Sequence, residues 1–90
     1  MTSRNRTEIT IQILEFVNGC DHDDEGATQT KIMSKLFLDN AQLKDYLMFL
    51  IENDLLSYDP KMRRFKITSN GLTFLQAYNQ IDKMLKKQQI

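Results

Sequence analysis

Cysteine, histidine and long apolar runs are scarce in this 90-residue sequence. Its single cysteine, Cys20, excludes an intramolecular disulfide and is typical of a protein kept in a reducing compartment. With one histidine, His22, the sequence offers no catalytic constellation, so we expect no enzyme activity and no cofactor. The longest apolar run, Tyr46 to Ile51, is far shorter than the ~20 residues that cross a bilayer. The N-terminal residues also lack the apolar core of a secretory signal, so we expect a cytoplasmic protein with no membrane partner.

Charge is balanced in total but unevenly distributed along the chain. Twelve basic and 12 acidic residues give a net charge of zero, which weighs against a nucleic-acid partner. Four acidic residues fall together in the segment 21–25; without them, 12 basic residues face eight acidic ones, a net charge of +4. Because electrostatic steering depends on local potential, a nucleic-acid site is still compatible with the neutral total.

Apolar residues at helical spacing predict three helices in the first part of the chain. These helices cover residues 7–18, 29–36 and about 40–53. Thr28 suits the N-cap of the second helix, and Asp39 or Asn40 that of the third. Gly19 suits the left-handed position that ends the first helix.

The first predicted helix carries more apolar residues than one small core needs. Its inward positions are Ile9, Ile13, Phe16 and Val17. Two further residues, Ile11 and Leu14, widen this stripe. Since a domain of this length builds only one modest core, we expect a partner chain to cover part of the stripe.

Two short alternating runs, 55–59 and 63–67, follow the third helix and predict a β-hairpin around Pro60. Thr68 then caps a last helix within 68–88. Helix, turn, helix, hairpin, helix is the order of a winged helix-turn-helix. The predicted fold is therefore mainly α with a small β-hairpin (α+β), with a short third strand near Ala27 as a possible addition.

We predict one domain, 1–90, with the helix-turn-helix and wing in 7–67 and a C-terminal dimerisation helix in 68–88. In such a fold the third helix lies in the major groove and the wing lies on the DNA backbone. Asn and Gln pair with adenine, Lys with guanine, and Asp accepts from cytosine. Basic side chains in 60–66 reach phosphates. The candidate DNA-binding residues are Lys31, Lys35, Asn40, Gln42, Lys44, Asp45, Lys61, Arg63, Arg64 and Lys66.

Each feature of this interface has a simpler interpretation. The polar face of the third helix can belong to a plain three-helix packing unit that meets only water. The basic hairpin can serve to block edge-to-edge strand pairing. Four basic residues within six positions exceed what such protection requires, which favours the nucleic-acid interpretation.

The acidic segment contains ligand types for a divalent metal, namely Cys20, His22 and neighbouring carboxylates. Its spacing matches neither a zinc motif nor a calcium loop. We therefore predict a solvated acidic loop without a metal site.

The last helix has a second apolar stripe with the four-three-four spacing of a coiled-coil seam. This pattern predicts a homodimer in which the last helix meets its copy and the first helix contributes. The alternative is that the stripe folds back onto the first helix of the same chain. The predicted interface residues are Ile11, Leu14, Phe74, Tyr78, Ile81 and Leu85.

Residues 30–75 resemble small archaeal winged-helix proteins that dimerise through a C-terminal coiled coil. The likeness rests on AQLKDYLMFLIENDLLSYD at 41–59, FKIT at 65–68 and SNGLTFLQAYNQI at 69–81. The resemblance implies a winged-helix homodimer that binds double-stranded DNA in transcription or chromatin organisation.

From these features we expect a DNA-binding transcriptional regulator or nucleoid-associated protein that acts as a homodimer. Because a fold does not by itself settle function, the alternative is a winged-helix protein–protein interaction module without DNA binding.

Overall fold

The computed structural model of this protein describes residues 5–20 and 25–87. Its elements, in chain order, are α1 Arg6–Gly19, α2 Gln29–Leu36, α3 Asn40–Glu52, β1 Leu56–Asp59, β2 Arg64–Ile67 and α4 Ser69–Lys87. This order confirms the predicted winged helix-turn-helix with a C-terminal helix. No helix within the described residues combines the length and apolar character needed to cross a membrane.

All four helices begin with the same side-chain cap. In each, a side-chain oxygen of the cap residue accepts a hydrogen bond from the backbone N–H three positions later, which satisfies one of the unpaired donors of the first turn. The caps are Asn5 to Glu8 (2.7 Å), Thr28 to Lys31 (3.2 Å), Asp39 to Gln42 (2.8 Å) and Thr68 to Gly71 (2.9 Å). The predicted caps of the last three helices are confirmed, and Asp39 rather than Asn40 caps α3.

Helix α1 runs through the centre of the core and packs against α2, α4 and β2. Leu14 is fully buried and Ile11 is only 5% exposed. The prediction that these two residues meet a partner chain is therefore wrong, because the chain's own elements already surround them. A single core buries the stripe because other elements pack against several sides of α1. The buried members of the stripe are Ile9, Ile11, Ile13, Leu14 and Val17.

The end of α1 also differs from the prediction. Gly19 lies inside the helix, and Cys20 caps it with ordinary right-handed torsions (φ −83°, ψ 0°). Cys20 belongs to the buried core, not to the acidic loop. The left-handed glycine is instead Gly26 (φ +71°), which leads into the bridge described next.

The two strands form one antiparallel hairpin in which Leu56 pairs with Ile67 and Asp59 with Arg64. Ala27 adds a single bridge to Phe65 through its carbonyl, which accepts the Phe65 N–H at 2.8 Å. The possible third strand near Ala27 is thus one bridge pair. Leu56 and Phe65 are both buried in the core.

The start of α4 is joined to the segment between α3 and β1 by three hydrogen bonds. The Thr68 hydroxyl donates to the Asp54 carbonyl (2.5 Å), and the Asn70 side-chain amide donates to the Asp54 carboxylate (2.6 Å). The Thr68 N–H donates to the Leu55 carbonyl at 3.2 Å. A Cβ at Gly71 would overlap that same Leu55 oxygen, so only glycine allows this close approach.

Two large apolar residues near the ends of α3 lie at the surface. Helical spacing predicts Ile51 in the buried arc of α3 with Leu43, Leu47 and Leu50, but it is 40% exposed, whereas Leu50 beside it is fully buried. In the turn before α3, Leu38 packs into the core, whereas Phe37 is 88% exposed with a left-handed backbone (φ 56°).

Candidate nucleic-acid interface

The N-terminal half of α3 presents its polar side chains outward. Leu43, Leu47 and Leu50 are buried and fix the rotation of the helix. Asn40, Gln42, Lys44 and Asp45 are all exposed. The four predicted base-contacting residues are therefore open to solvent, with Gln42 and Lys44 on opposite flanks of Asp45.

The outward side chains of α3 differ in whether another side chain of the protein already bonds to them. The Gln29 side-chain amide at the start of α2 donates to the Asn40 side-chain carbonyl at 2.5 Å. A bidentate contact with adenine needs both the carbonyl and the amino group of an Asn or Gln. The Asn40 side chain therefore links α3 to α2 and has fewer groups left for such a contact.

The two α2 lysines differ in their surroundings. Lys35 is exposed, whereas the Lys31 ammonium lies 3.3 Å from the Glu25 carboxylate and its side chain is only 33% exposed. Of the two α2 lysines predicted to contact DNA, only Lys35 is exposed. The sequence places Glu25 in a solvated acidic loop, and the structure instead gives it a defined partner.

The turn of the wing is built so that its basic side chains project. The Asp59 carboxylate accepts the backbone N–H groups of Lys61 (3.0 Å) and Met62 (3.4 Å), which closes the chain reversal. Arg63 completes the turn in a left-handed conformation (φ 54°). Lys61 and Arg63 are exposed, and neither forms an ion pair with any described residue.

Arg64 departs from the predicted outward cluster. Its side chain lies across Gly26, where a Cβ would contact the Arg64 Cδ atom at 2.5 Å. Its Nε atom is buried without a hydrogen-bond partner among the described residues. The basic tip therefore consists of Lys61 and Arg63, with exposed Lys66 beside Ser57 on the strands.

Acidic residues interrupt the basic character of this surface. Asp45 in the first half of α3 and Glu52 at its C-terminal end are both exposed. The positive potential is therefore concentrated at the wing tip and at Lys35, Lys44 and Lys66. Such a distribution suits contacts at a few phosphates better than a continuous basic groove.

The last helix leaves an apolar stripe uncovered in the single chain. Phe74, Ile81 and Leu85 are exposed, as expected for a seam, but Tyr78 is half-buried and packs against the core. Exposed Ala77 and Met84 lie on the same side as Phe74 and Ile81. The uncovered stripe thus contains Phe74, Ala77, Ile81, Met84 and Leu85. Spacing alone missed Met84, because it does not show which side of α4 meets α1.

Most of the acidic segment lies outside the described residues. Asp21, His22, Asp23 and Asp24 belong to that part. In residues 5–20 and 25–87 no group of three or more His, Cys, Asp or Glu side chains is placed to hold a metal ion.

Comparison with known proteins agrees with this architecture. The sequence matches the winged helix-turn-helix family over residues 3–86, nearly the whole chain. No curated protein matches the sequence.

Proposed function

The chain belongs to the winged helix-turn-helix family, and from this premise we propose that it binds double-stranded DNA as a homodimer in transcription regulation or nucleoid organisation. Helix α3 enters the major groove, and the wing contacts the backbone. The observation that carries the proposal is the exposed pair Lys61 and Arg63 at the wing tip, on a fold whose α3 exposes a polar N-terminal face.

The exposed side chains of α3 determine which DNA bases it recognises. Gln42 has a free side-chain amide on an exposed first turn, and Lys44 supplies a donor two positions later. The bidentate geometry of Gln suits adenine, and Lys suits the guanine O6 and N7 acceptors. Asp45 accepts from the cytosine amino group and disfavours a phosphate at the same place.

The wing supplies affinity without sequence preference. The backbone N–H groups of Lys61 and Met62 donate to the Asp59 carboxylate, which fixes the turn that carries Lys61 and Arg63. Each contact with a phosphate releases condensed counterions, so binding weakens as salt concentration rises.

The homodimer forms through the uncovered stripe of α4. Ile81 is 57% exposed, and the other four side chains of the uncovered stripe are exposed as well. An exposed apolar patch of this kind on a small domain is typical of an interaction site. The stripe from Phe74 to Leu85 covers only about 17 Å of helix, since each residue adds ~1.5 Å. Two recognition helices held in this way meet successive major grooves, about 34 Å apart.

The wing is tested by titrating the protein against duplex DNA at several salt concentrations. The variant combines Lys61→Ala with Arg63→Gly, because glycine keeps the left-handed backbone that Arg63 adopts. The slope of log K against log salt should fall by about 0.9 for each phosphate that the variant no longer neutralises. Lys83→Ala is the matched control, since it removes a cation on α4, away from the wing and from α3.

Recognition of DNA bases by α3 is tested separately with Gln42→Ala. This change should alter preference at one base pair, at a cost of roughly 1–3 kcal/mol, and leave the salt slope unchanged.

Unchanged affinity and slope in the wing variant would contradict the backbone role of the wing. If the wild type dimerises yet shows no DNA binding at low salt, a protein–protein interaction module becomes the better interpretation.

A further inference from the structure

A cleft of about 240 Å³ opens where α1, α3 and α4 meet. Its walls come from the first turns of α1, the middle of α3 and the start of α4. The lining residues are Arg6, Thr7, Thr10, Asp45, Tyr46, Phe49 and Phe74. Of the residues proposed above for DNA contacts or the homodimer, only Asp45 and Phe74 line this cleft.

Three aromatic rings give the cleft an apolar interior. Tyr46 is half-buried, whereas Phe49 and Phe74 stay partly exposed and face the same space from α3 and α4. Ligand sites are typically concave and apolar, with a few polar groups that fix orientation. The aromatic walls therefore suit a flat or branched apolar group.

Two opposite charges stand at the rim of this apolar interior. The Arg6 guanidinium lies 5.9 Å from the centroid of the Tyr46 ring, close enough for a cation–π contact. Asp45 lines the same cleft from α3. Neither side chain forms an ion pair with any residue in 5–20 or 25–87, so both charges are available to a ligand.

We propose that this cleft binds a small amphipathic zwitterion, namely a free α-amino acid with an aromatic or large aliphatic side chain. Arg6 pairs with its carboxylate, Asp45 with its ammonium group, and the side chain packs among Tyr46, Phe49 and Phe74. A simple anion would meet the Asp45 carboxylate and a simple cation would meet Arg6, so charge complementarity selects a ligand that carries both.

The size of the cleft agrees with this class. Sites for drug-sized ligands measure about 300–1,000 Å³, and a single amino acid needs less. Both charged contacts lie at an exposed rim, where ion pairs contribute little. We therefore expect weak binding, with a Kd of roughly 0.1–1 mM.

The test is an NMR titration of ¹⁵N-labelled protein without DNA, so its outcome does not depend on the proposed function. The probes are L-phenylalanine, 3-phenylpropanoate, which lacks the ammonium group, and 2-phenylethylamine, which lacks the carboxylate. Backbone signals of the residues around Arg6, Tyr46 and Phe74 should shift. L-Phenylalanine should bind about three- to fivefold more tightly than either single-charge analogue, an effect of about 0.6–1 kcal/mol for each exposed ion pair.

Variants assign each charge to its side chain. Arg6→Gln should weaken binding of L-phenylalanine but not of 2-phenylethylamine, and Asp45→Asn should weaken L-phenylalanine but not 3-phenylpropanoate. Phe49→Ala should weaken all three probes. Lys83→Gln, which removes an exposed charge outside the cleft, should change none.

Two results would overturn the assignment. One is equal affinity for the three probes, which would mean that the cleft recognises only the ring. The other is that the cleft signals shift with protein concentration and no longer respond to L-phenylalanine, which would mean that a second copy of the chain fills the cleft.

Discussion

Helices α1 and α4 carry similar apolar stripes but use them in opposite ways. In α1 the stripe is buried within the chain, and Leu14 has no exposed surface. In α4 only Leu75 is buried among the large apolar side chains, and Ile81 is 57% exposed. The sequence predicts that both stripes are partly uncovered, yet only that of α4 is.

The difference follows from position in the fold. Helix α1 contacts α2, α4 and β2, so side chains around most of its circumference meet a neighbour. Helix α4 runs along α1 and β2 on one side only. An apolar stripe therefore indicates an interface only where no second element of the same chain reaches it.

Leu14→Ala gives the largest expected effect, because it empties a fully enclosed site in α1. We expect it to lower the free energy of unfolding by about 2–5 kcal/mol, measured by urea denaturation. The matched change on α4, Ile81→Ala, should cost less than about 1 kcal/mol at a protein concentration where the chain is monomeric. Equal losses at the two sites would remove the contrast between the helices.

Ile81→Glu tests whether the α4 stripe is an interface. A charge placed in an apolar seam should weaken self-association at least ~100-fold, which corresponds to about 2.7 kcal/mol. Sedimentation equilibrium measures this change, and circular dichroism should show that the fold is kept. Gln76→Glu places the same charge on the polar side of α4, next to Asn79 and Gln80, and should leave the dimer intact. A monomeric wild type, or a dimeric Ile81→Glu variant, would contradict the proposed homodimer.

The glycines of the two helices sharpen the comparison further. Gly71→Ala should destabilise the fold by about 1–3 kcal/mol, because the new Cβ overlaps the Leu55 carbonyl where α4 approaches it. Gly19→Ala should instead stabilise by roughly 0.5–1 kcal/mol, since Gly19 is helical and nothing lies within 4 Å of its added Cβ. Thermal and urea unfolding of the two variants should therefore move in opposite directions.

Phe37→Gly has the smallest expected effect. It tests whether an exposed apolar residue outside the α4 stripe takes part in self-association. Relief of the left-handed strain, about 1–2 kcal/mol, is partly offset by ~0.5–1 kcal/mol of backbone entropy, so a gain of about 0.5 kcal/mol is expected. Phe37→Ala keeps the strained Cβ and should show no such gain. Neither variant should change the sedimentation of the protein, because Phe37 lies outside the α4 stripe. Loss of the dimer on either change would place the turn before α3 in the interface.

The winged helix-turn-helix could be predicted because its signals are local. Thr28, Asp39 and Thr68 are side chains that bond to the next turn of their own helix. The period of Leu43, Leu47 and Leu50 needs no knowledge of other elements to orient α3. For the same reason the exposed face with Gln42 and Lys44 was predictable.

The misplaced residues depend on contacts that reach beyond a single helix or strand. Arg64 lies back over Gly26 because the Ala27 bridge brings residues 26 and 64 together. Lys31 is drawn to Glu25, and Asn40 is held by Gln29. The packing of Arg64 divides the predicted basic cluster of the wing into an exposed tip and a packed base, and the other two pairings engage Lys31 and Asn40 within the chain.

The sequence by itself determined the order of the helices, their caps, the hairpin and the outward face of α3, because each depends on residues a few positions apart. Only the tertiary structure decided which apolar stripe stays bare. It also decided that Gly71 must be glycine and that Tyr78 turns toward the core while Met84 does not. These outcomes depend on how closely distant elements pack, which a periodic pattern does not encode.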